Sequence, residues 1–219
     1  MGIAFFDLDR TLISRNSATL WIRHELAARR ITRWQALRAG VWVLRYSLGA
    51  SDVTWAIRRT AASLAGQVEA EIAARTRAFY ATHVRPLYRP GVAAALAAHR
   101  QTGDRLVLLT SSSVYLSDEV SRDLGLDDYV CNRFEVDAGG RYTGRLHEPL
   151  CFGPGKVALA GSYARGHGVP LAACAFYSDS HSDLPMLEAV GRPVVVDPDP
   201  RLRRLARRRA WPVVEWGVP

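Results

Sequence analysis

The pattern of apolar and polar positions changes twice along the chain. The first apolar run, residues 2–6, is short and rich in aromatic side chains, and it ends in the polar sequence Asp7-Leu8-Asp9-Arg10-Thr11. Such a run predicts a buried central strand. Helical periodicity begins near Ser14. Ser17 is a candidate helix cap, and the spacing predicts helices from residue 17, through residues 34–44, and over residues 51–64 and 67–83.

Helices and strands alternate in the rest of the chain, after two prolines between residues 84 and 90. The pattern predicts helices over 91–101, 114–123, 155–166 and 183–189, strands over 105–109, 173–177 and 193–196, and a hairpin over 132–146. This alternation indicates an α/β fold: a Rossmann-like, doubly wound parallel sheet with helices on both faces. We expect residues 1–13 and 86–219 to form this core and residues 14–85 to form an inserted, all-helical domain.

The composition excludes several classes of protein. The chain has 219 residues, of which 48% are hydrophobic and 23% charged, so it is neither disordered, collagenous nor a disulfide scaffold. Because a strand is predicted from residue 3 and no apolar run reaches about 18 residues, we expect neither a signal peptide nor a membrane-spanning helix. We therefore expect a cytoplasmic protein. Its three widely spaced cysteines, Cys131, Cys151 and Cys174, are expected to be reduced thiols.

The net charge of +8 is unevenly distributed. Residues 14–85 contain 12 Arg and 4 acidic residues, whereas the remainder contains 17 basic and 17 acidic residues. The basic helices, with Trp21, Trp34, Trp42 and Trp55, could form a solvated face, steer an anionic substrate, or contact an anionic membrane surface. The arginine-rich residues 201–209 leave the same choice between a solvated helix and membrane contact. No helix-turn-helix, zinc or RNA-binding motif supports nucleic-acid binding.

Polar clusters follow the predicted strands, at the edge where ligands bind in such sheets. They comprise Asp7 and Asp9, the hydroxyl run at residues 110–113, and the acidic segment at residues 179–183. Lys156 follows Gly-Pro-Gly at a predicted helix start, and it is the single Lys among 29 basic residues. A compact ammonium suits a narrow site against phosphate or carboxylate. The four segments together predict a functional site.

These clusters resemble the motifs of the haloacid dehalogenase superfamily phosphatases. Residues 6–12, Phe-Asp-Leu-Asp-Arg-Thr-Leu, resemble the DxDxT motif, and Leu108-Leu109-Thr110 resembles the second motif. Lys156 resembles the third motif, and residues 177–187 resemble the fourth. The inserted helices are similar in position to the cap of the phosphoserine phosphatase-like subfamily (subfamily IB). The resemblance covers essentially the whole chain and implies the corresponding fold and chemistry.

The resemblance implies a role for each acidic residue. Asp7 would attack phosphorus to give an aspartyl-phosphate, and Asp9 would protonate the leaving group and then activate water. Crowded carboxylates around a phosphate need a cation, and hard oxygen ligands favour Mg²⁺. The expected ligands are the Asp7 carboxylate, the Asp9 carbonyl and Asp179, with Asp183 binding directly or through water.

The remaining motif residues would contact the phosphoryl group or support the loops. Thr110 would donate its hydroxyl to a phosphoryl oxygen, unless Ser111 takes that role through a shift of one residue. Lys156 would neutralise the nonbridging oxygens and keep Asp7 ionised. Thr11 would brace the loop or contact substrate. Arg10 stands where many relatives have Gly or another small residue, and it could touch substrate or form a salt bridge to the cap.

Three function classes follow from these residues. The leading hypothesis is a Mg²⁺-dependent phosphatase of a small phosphorylated metabolite, of the phosphoserine or histidinol-phosphate type. The second is a lipid-phosphate phosphatase that works at a membrane surface. The third is a non-catalytic phosphate-binding module, which the presence of every catalytic residue disfavours. The sequence predicts no oligomeric state.

Overall fold

The structure is a computed structural model that describes residues 2–47 and 53–219. Residues 51 and 52, at the start of one predicted helix, and the side chain of Trp42 lie outside what it describes. Among the described residues, no helix is both long and apolar enough to cross a membrane.

A six-stranded parallel sheet forms the centre of the molecule. Its strands are β1 (Ile3–Phe6), β2 (Arg105–Ser113), β3 (Asp128–Asn132), β6 (Ala175–Ser178), β7 (Arg192–Val196) and β8 (Val213–Val214). Their order in the sheet is β3-β2-β1-β6-β7-β8. A separate antiparallel pair comprises β4 (Phe134–Val136) and β5 (Tyr142–Leu146). Strand β1 pairs with β2 on one side and with β6 on the other, so the strand order switches at β1.

Helices cover both faces of the sheet because successive side chains of β1 point to opposite faces. Ala4 and Phe6 pack in one cluster with α5 (Val92–Gln101) and α6 (Val114–Leu124). Ile3 and Phe5 pack in the other cluster with α7 (Pro154–Gly166), α8 (Leu184–Ala189) and α9 (Pro200–Arg209). The predicted doubly wound α/β fold is confirmed.

Four helices follow β1 before α5 begins. They are α1 (Ser17–Ala27), α2 (Arg33–Ser47), α3 (Val53–Ser63) and α4 (Glu69–Phe79). Helix α4 continues into a π-helical turn, Tyr80–Val84. Helix α3 packs against β5, and α4 packs against α6. The helical segment, residues 14–85, therefore contacts the rest of the chain through α3 and α4.

Several element boundaries differ from the sequence prediction. Strand β2 continues through residues 110–113, so the hydroxyl run lies in the strand and not after it. Strands β3 and β8 were missed, because β3 carries polar residues at an outer position of the sheet and β8 has only two residues. The cap of α1 is Asn16 and not Ser17, since the Asn16 side chain accepts from the backbone N–H of Thr19.

A buried network anchors the beginning of β1. The backbone N–H of Gly2 donates to Asp104 Oδ1 at 2.6 Å, and His99 Nδ1 lies 2.9 Å from Asp104 Oδ2. Arg192 donates to the same carboxylate oxygen at 2.9 Å. Burial opposes ionisation, but the hydrogen bonds from His99, Arg192 and Gly2 lower the pKa of Asp104 to about 2. The charged carboxylate therefore fixes the strand that leads to Asp7.

We expect Asp104→Asn to lower the free energy of unfolding at pH 7 by about 2 kcal/mol, because hydrogen bonds to a charged group are lost. Since the pKa of Asp104 is lowered by folding, this contribution is present above about pH 4 and is lost as the pH falls toward 2. Urea denaturation measures the change. Asp118→Asn, which breaks an exposed pair with Arg122, is the matched control and should cost much less. Equal losses would contradict the assignment.

Candidate active site

The predicted site residues meet at the carboxyl ends of three neighbouring strands. Asp7 directly follows β1, and its backbone N–H donates to the carbonyl of Tyr177 at 3.0 Å. Thr110 lies in β2, and Asp179 directly follows β6. Lys156 lies in the first turn of α7. Because these strands are parallel neighbours, the sheet places all four segments at one edge.

Lys156 forms the centre of the site. It is only 2% exposed, and its Nζ donates to Asp7 Oδ1 at 2.8 Å and to Asp183 Oδ2 at 2.9 Å. The hydroxyl of Ser178 also donates to Asp183 Oδ2, at 2.7 Å. The ammonium therefore joins the first and fourth motifs, which lie 176 residues apart in the chain from Asp7 to Asp183.

The Gly-Pro-Gly sequence before Lys156 determines where α7 begins. Gly153 has a φ of 50°, in the left-handed region that favours glycine. Pro154 occupies the first turn, where its missing N–H costs no hydrogen bond. A Cβ on Gly155 would lie 1.9 Å from the carbonyl oxygen of Leu150, so only glycine fits there. This close approach seats the first turn of the helix and hence Lys156.

Asp9 lies beside the start of α1. Its Oδ1 accepts the backbone N–H of Ser17 at 2.8 Å, and its Oδ2 accepts from the side-chain amide of Asn16 at 3.2 Å. Asp9 is half-buried, and burial raises its pKa, although the Ser17 hydrogen bond opposes this. The second carboxylate of the motif therefore connects the sheet edge to the helical segment.

Thr11 connects the loop after β1 to the loop after β6. Its fully buried hydroxyl accepts the backbone N–H of Asp179 at 3.0 Å and lies 3.3 Å from Asp179 Oδ1, to which it donates. Both functions of the hydroxyl are thus used between the two loops. Of the two roles predicted for Thr11, the geometry matches the brace.

The electrostatics of the site are dominated by buried carboxylates. Burial raises the pKa of Asp7 to about 7, against the opposing effect of Lys156. The pKa of Asp179 is raised well above its ordinary value by burial and by the charges of Asp7 and Asp183. Burial alone would lower the pKa of Lys156, but Asp183 and Asp7 raise it. With Asp9, four carboxylates lie at this sheet edge, and the buried ammonium contacts two of them, Asp7 and Asp183.

Thr110 and Ser111 differ in the use of their hydroxyl groups. Ser111 Oγ donates to the carbonyl of Cys151 at 2.7 Å. Thr110 is buried at the sheet edge, and its Oγ1 accepts the backbone N–H of Ser112 at 3.2 Å. The Ser111 proton is therefore committed to the protein, while the acceptor contact of Thr110 leaves its hydroxyl proton for another partner.

Arg10 lies beside Asp9 in a left-handed conformation, with a φ of 60°. Its side chain is exposed, and its positive charge acts on the pKa of both Asp9 and Asp179 by lowering it, against the larger effect of burial. Within the described part of the chain, Arg10 forms no ion pair with an acidic side chain. The predicted salt bridge from Arg10 to the cap is thus not seen among those residues.

Sequence reasoning missed several residues that position the site. Asn16 and Ser17 hold Asp9, and Ser178 holds Asp183. Asn132, at the end of β3, joins β2 to the segment before α7, since it accepts from Cys151 N at 2.8 Å and donates to Ser111 O at 2.7 Å. Asn16 carried a usable signal, since asparagine directly before a helical pattern is a favoured cap. The roles of Ser178 and Asn132 depend on tertiary contacts and had no local signal.

Comparisons with known proteins agree with this geometry. A family model described as haloacid dehalogenase-like hydrolase matches residues 4–188, a range that includes all four motifs. A protein from Bordetella pertussis has a solved structure that superposes with a TM-score of 0.88 and 30% sequence identity, covering 98% of both chains.

Two curated relatives carry different substrate names. A phosphoserine phosphatase of Mycobacterium tuberculosis is 31% identical over 220 residues, which cover 98% of this chain and 71% of the relative. A histidinol-phosphatase of Neisseria meningitidis is 28% identical over 219 residues, which cover 98% of this chain and 99% of the relative. The resemblance found in the sequence is confirmed. The chain belongs to the haloacid dehalogenase-like hydrolase family, as an enzyme of its phosphoserine phosphatase-like branch of phosphatases.

Proposed function

We propose that this enzyme is a Mg²⁺-dependent phosphomonoesterase that forms an aspartyl-phosphate at Asp7 and acts on a small phosphorylated metabolite. The observation that carries the proposal is the buried Lys156 between Asp7 and Asp183, with Asp9 and Asp179 at the same sheet edge. A nucleophile, a proton donor and positive charge are the three requirements of phosphoryl transfer to a carboxylate.

Asp7 is the proposed nucleophile. Lys156 holds its Oδ1, which orients the other carboxylate oxygen, Oδ2, for attack on phosphorus. The bond from Oδ2 to phosphorus forms as the bond from phosphorus to the leaving oxygen breaks. The positive charge of the ammonium favours the ionised form of Asp7 and so opposes burial, which raises the pKa of Asp7.

Asp9 is the proposed acid and base. Its raised pKa favours a protonated carboxyl, which can give its proton to the leaving oxygen. The resulting carboxylate then takes a proton from water as that water attacks phosphorus, and the bond to Asp7 breaks to release inorganic phosphate. The hydrogen bonds from Asn16 and Ser17 set the position of this group.

The residues present fit Mg²⁺. Among the described residues, no group of three or more His, Cys, Asp or Glu side chains forms a ready metal cluster. Mg²⁺ needs only one or two carboxylates, because it retains several waters. Asp7, Asp179 and the Asp9 carbonyl would hold it, with Asp183 acting through water since Lys156 and Ser178 already bind its carboxylate. When bound, the cation offsets the negative charge of the carboxylates and the phosphoryl group.

Thr110 and Lys156 are the proposed donors to the transferring phosphoryl group. The Ser111 hydroxyl already donates to Cys151, which favours Thr110 as the hydroxyl ligand. We further propose that residues 14–85 act as a cap that excludes water from the site. The hydrogen bond from Tyr115 OH to Glu69 Oε1, at 2.8 Å, joins the start of α6 to the start of α4 and so holds this segment to the sheet domain.

A comparison of substrates identifies the leaving group. Relatives of nearly equal identity carry the names phosphoserine phosphatase and histidinol-phosphatase, so overall similarity does not select between these substrates. A panel that contains phosphoserine, histidinol phosphate and a lipid phosphate in vesicles separates the metabolite and lipid hypotheses. Binding of phosphate esters without turnover of any of them would support the non-catalytic alternative.

We expect hydrolysis of p-nitrophenyl phosphate that requires Mg²⁺. Removal of divalent cations with EDTA followed by dialysis should abolish the release of p-nitrophenol, because the carboxylate cluster then repels the phosphate dianion. Addition of Mg²⁺ to the dialysed protein should restore the rate. Undiminished turnover after chelation would contradict the requirement for Mg²⁺.

Asp7→Asn should abolish turnover and phosphorylation of the protein, because an amide is a poor nucleophile. Asp9→Asn should still permit slow phosphorylation of Asp7 by a substrate with a good leaving group, since such a group needs little protonation. Mass spectrometry after rapid acid quenching locates the phosphoryl group. Its appearance on any residue other than Asp7 contradicts the proposed roles.

Lys156→Arg should reduce kcat/KM by roughly 30- to 1000-fold, or about 2 to 4 kcal/mol, since the planar guanidinium cannot replace a compact ammonium between two carboxylates. Arg165→Lys, an exposed change on the same helix, is the matched control and should leave kcat/KM unchanged. Thermal melts of both variants test the fold. A folded Lys156→Arg protein with less than about threefold loss would remove Lys156 from the chemistry.

A further inference from the structure

Three large apolar side chains in the first nine residues of helix α2 face solvent. Trp34 is 69% exposed, Leu37 is 53% exposed and Val41 is 48% exposed. Their spacing of three and four residues places them along one stripe of the helix. Ala36 is buried and Ala39 is half-buried. At about 100° per residue, the two alanines lie on the side opposite the stripe, so over residues 33–41 the helix exposes large apolar side chains and buries small ones.

Arginines flank this stripe on both sides. Arg33 and Arg38 are exposed, and at about 100° per residue they lie on opposite sides of the stripe. Within the described part of the chain, neither forms an ion pair with an acidic side chain. Residues 26–51 contain five Arg and no Asp or Glu. The surface is therefore apolar along its centre and cationic along its edges.

Helix α3 presents a similar combination. Trp55 is 54% exposed, and the guanidinium of Arg59 lies 5.4 Å from the centre of its ring. An exposed tryptophan with an adjacent arginine presents an apolar ring and a charged guanidinium side by side on the surface. Two successive helices of the same segment thus expose tryptophan and arginine together.

We propose that the α2 face, defined as Trp34, Leu37 and Val41 with Arg33 and Arg38, docks on the surface of an anionic lipid bilayer. Lipid phosphates would pair with the arginines, while the apolar stripe enters the boundary between headgroups and acyl chains. Tryptophan favours that boundary because its ring is apolar and its N–H is polar.

Charge complementarity selects a lipid surface over the other occupants. A second copy of this face would bring arginines against arginines, with no acidic residue of α2 to pair with them. A nucleic acid would neutralise the arginines but would leave Leu37 and Val41 exposed to water. An anionic bilayer satisfies both the cationic edges and the apolar centre.

Sedimentation of the full chain with vesicles tests this proposal. We expect the protein to bind vesicles that contain phosphatidylglycerol at least tenfold more strongly than vesicles of phosphatidylcholine alone, and to bind less at high salt. The double variants Trp34→Ser with Leu37→Ser, and Arg33→Gln with Arg38→Gln, should each weaken binding at least tenfold.

Matched controls separate this face from the other exposed apolar and basic positions. Val218→Ser removes an apolar side chain that is 69% exposed elsewhere. Arg201→Gln with Arg204→Gln removes two exposed charges from α9, the other arginine-rich helix. Both controls should bind anionic vesicles like the unmodified protein. All variants should keep the unmodified circular dichroism spectrum and melting temperature, which shows that they are folded.

Three results would overturn the proposal. The protein fails to sediment with anionic vesicles, binding follows the α9 control instead of the α2 variants, or sedimentation velocity shows a dimer that dissociates when Trp34 and Leu37 are replaced. The last result would assign the α2 face to a second copy of the chain. None of these readouts depends on the identity of the phosphatase substrate, so failure here and failure of the proposed function are distinguishable.

Discussion

The buried ammonium of Lys156 is the interaction on which the site depends. It contacts Asp7 and Asp183 at 2.8 and 2.9 Å, and removing it would leave two carboxylates buried without a counter-charge, which is strongly destabilising. Its position in turn requires Gly155, because only glycine allows the first turn of α7 to approach Leu150 so closely. Both the stability of the sheet edge and the chemistry proposed there therefore depend on the Lys156 ammonium and on the close contact between Gly155 and Leu150.

Much of the fold was predictable because it depends on local patterns. Strand β1 and the helices of the sheet domain follow from apolar periodicity, and their alternation implies a parallel sheet. Strand β3 escaped this reasoning because its pairing with β2, and not its own pattern, makes it a strand. The extension of β2 through residues 110–113 has the same cause, since Ser113 pairs with Asn132 of β3. Tertiary pairing overrides weak local preference at such positions.

The site residues also fall into two groups: those that local patterns predict and those that depend on tertiary contacts. Asp7, Asp9, Lys156 and Asp179 stand at ends of regular elements, where the pattern alone predicts a functional edge. The choice between Thr110 and Ser111 was open in the sequence, because both carry a hydroxyl at adjacent positions. It depends on the carbonyl of Cys151, 40 residues away, which accepts from Ser111. Such a contact becomes visible only when the chain is folded.

The distribution of charge differs between two parts of the chain. Residues 1–13 and 86–219 have balanced charge, and at the sheet edge one buried ammonium contacts two carboxylates, Asp7 and Asp183. The helical segment carries the whole excess of arginine, and α2 exposes it beside apolar side chains. Arginine suits that surface because it keeps its charge and pairs with phosphates by a planar fork, whereas the buried site needs a compact cation. The chain uses lysine once and arginine 28 times, and its one lysine occupies the buried site between two carboxylates, where a compact cation is required.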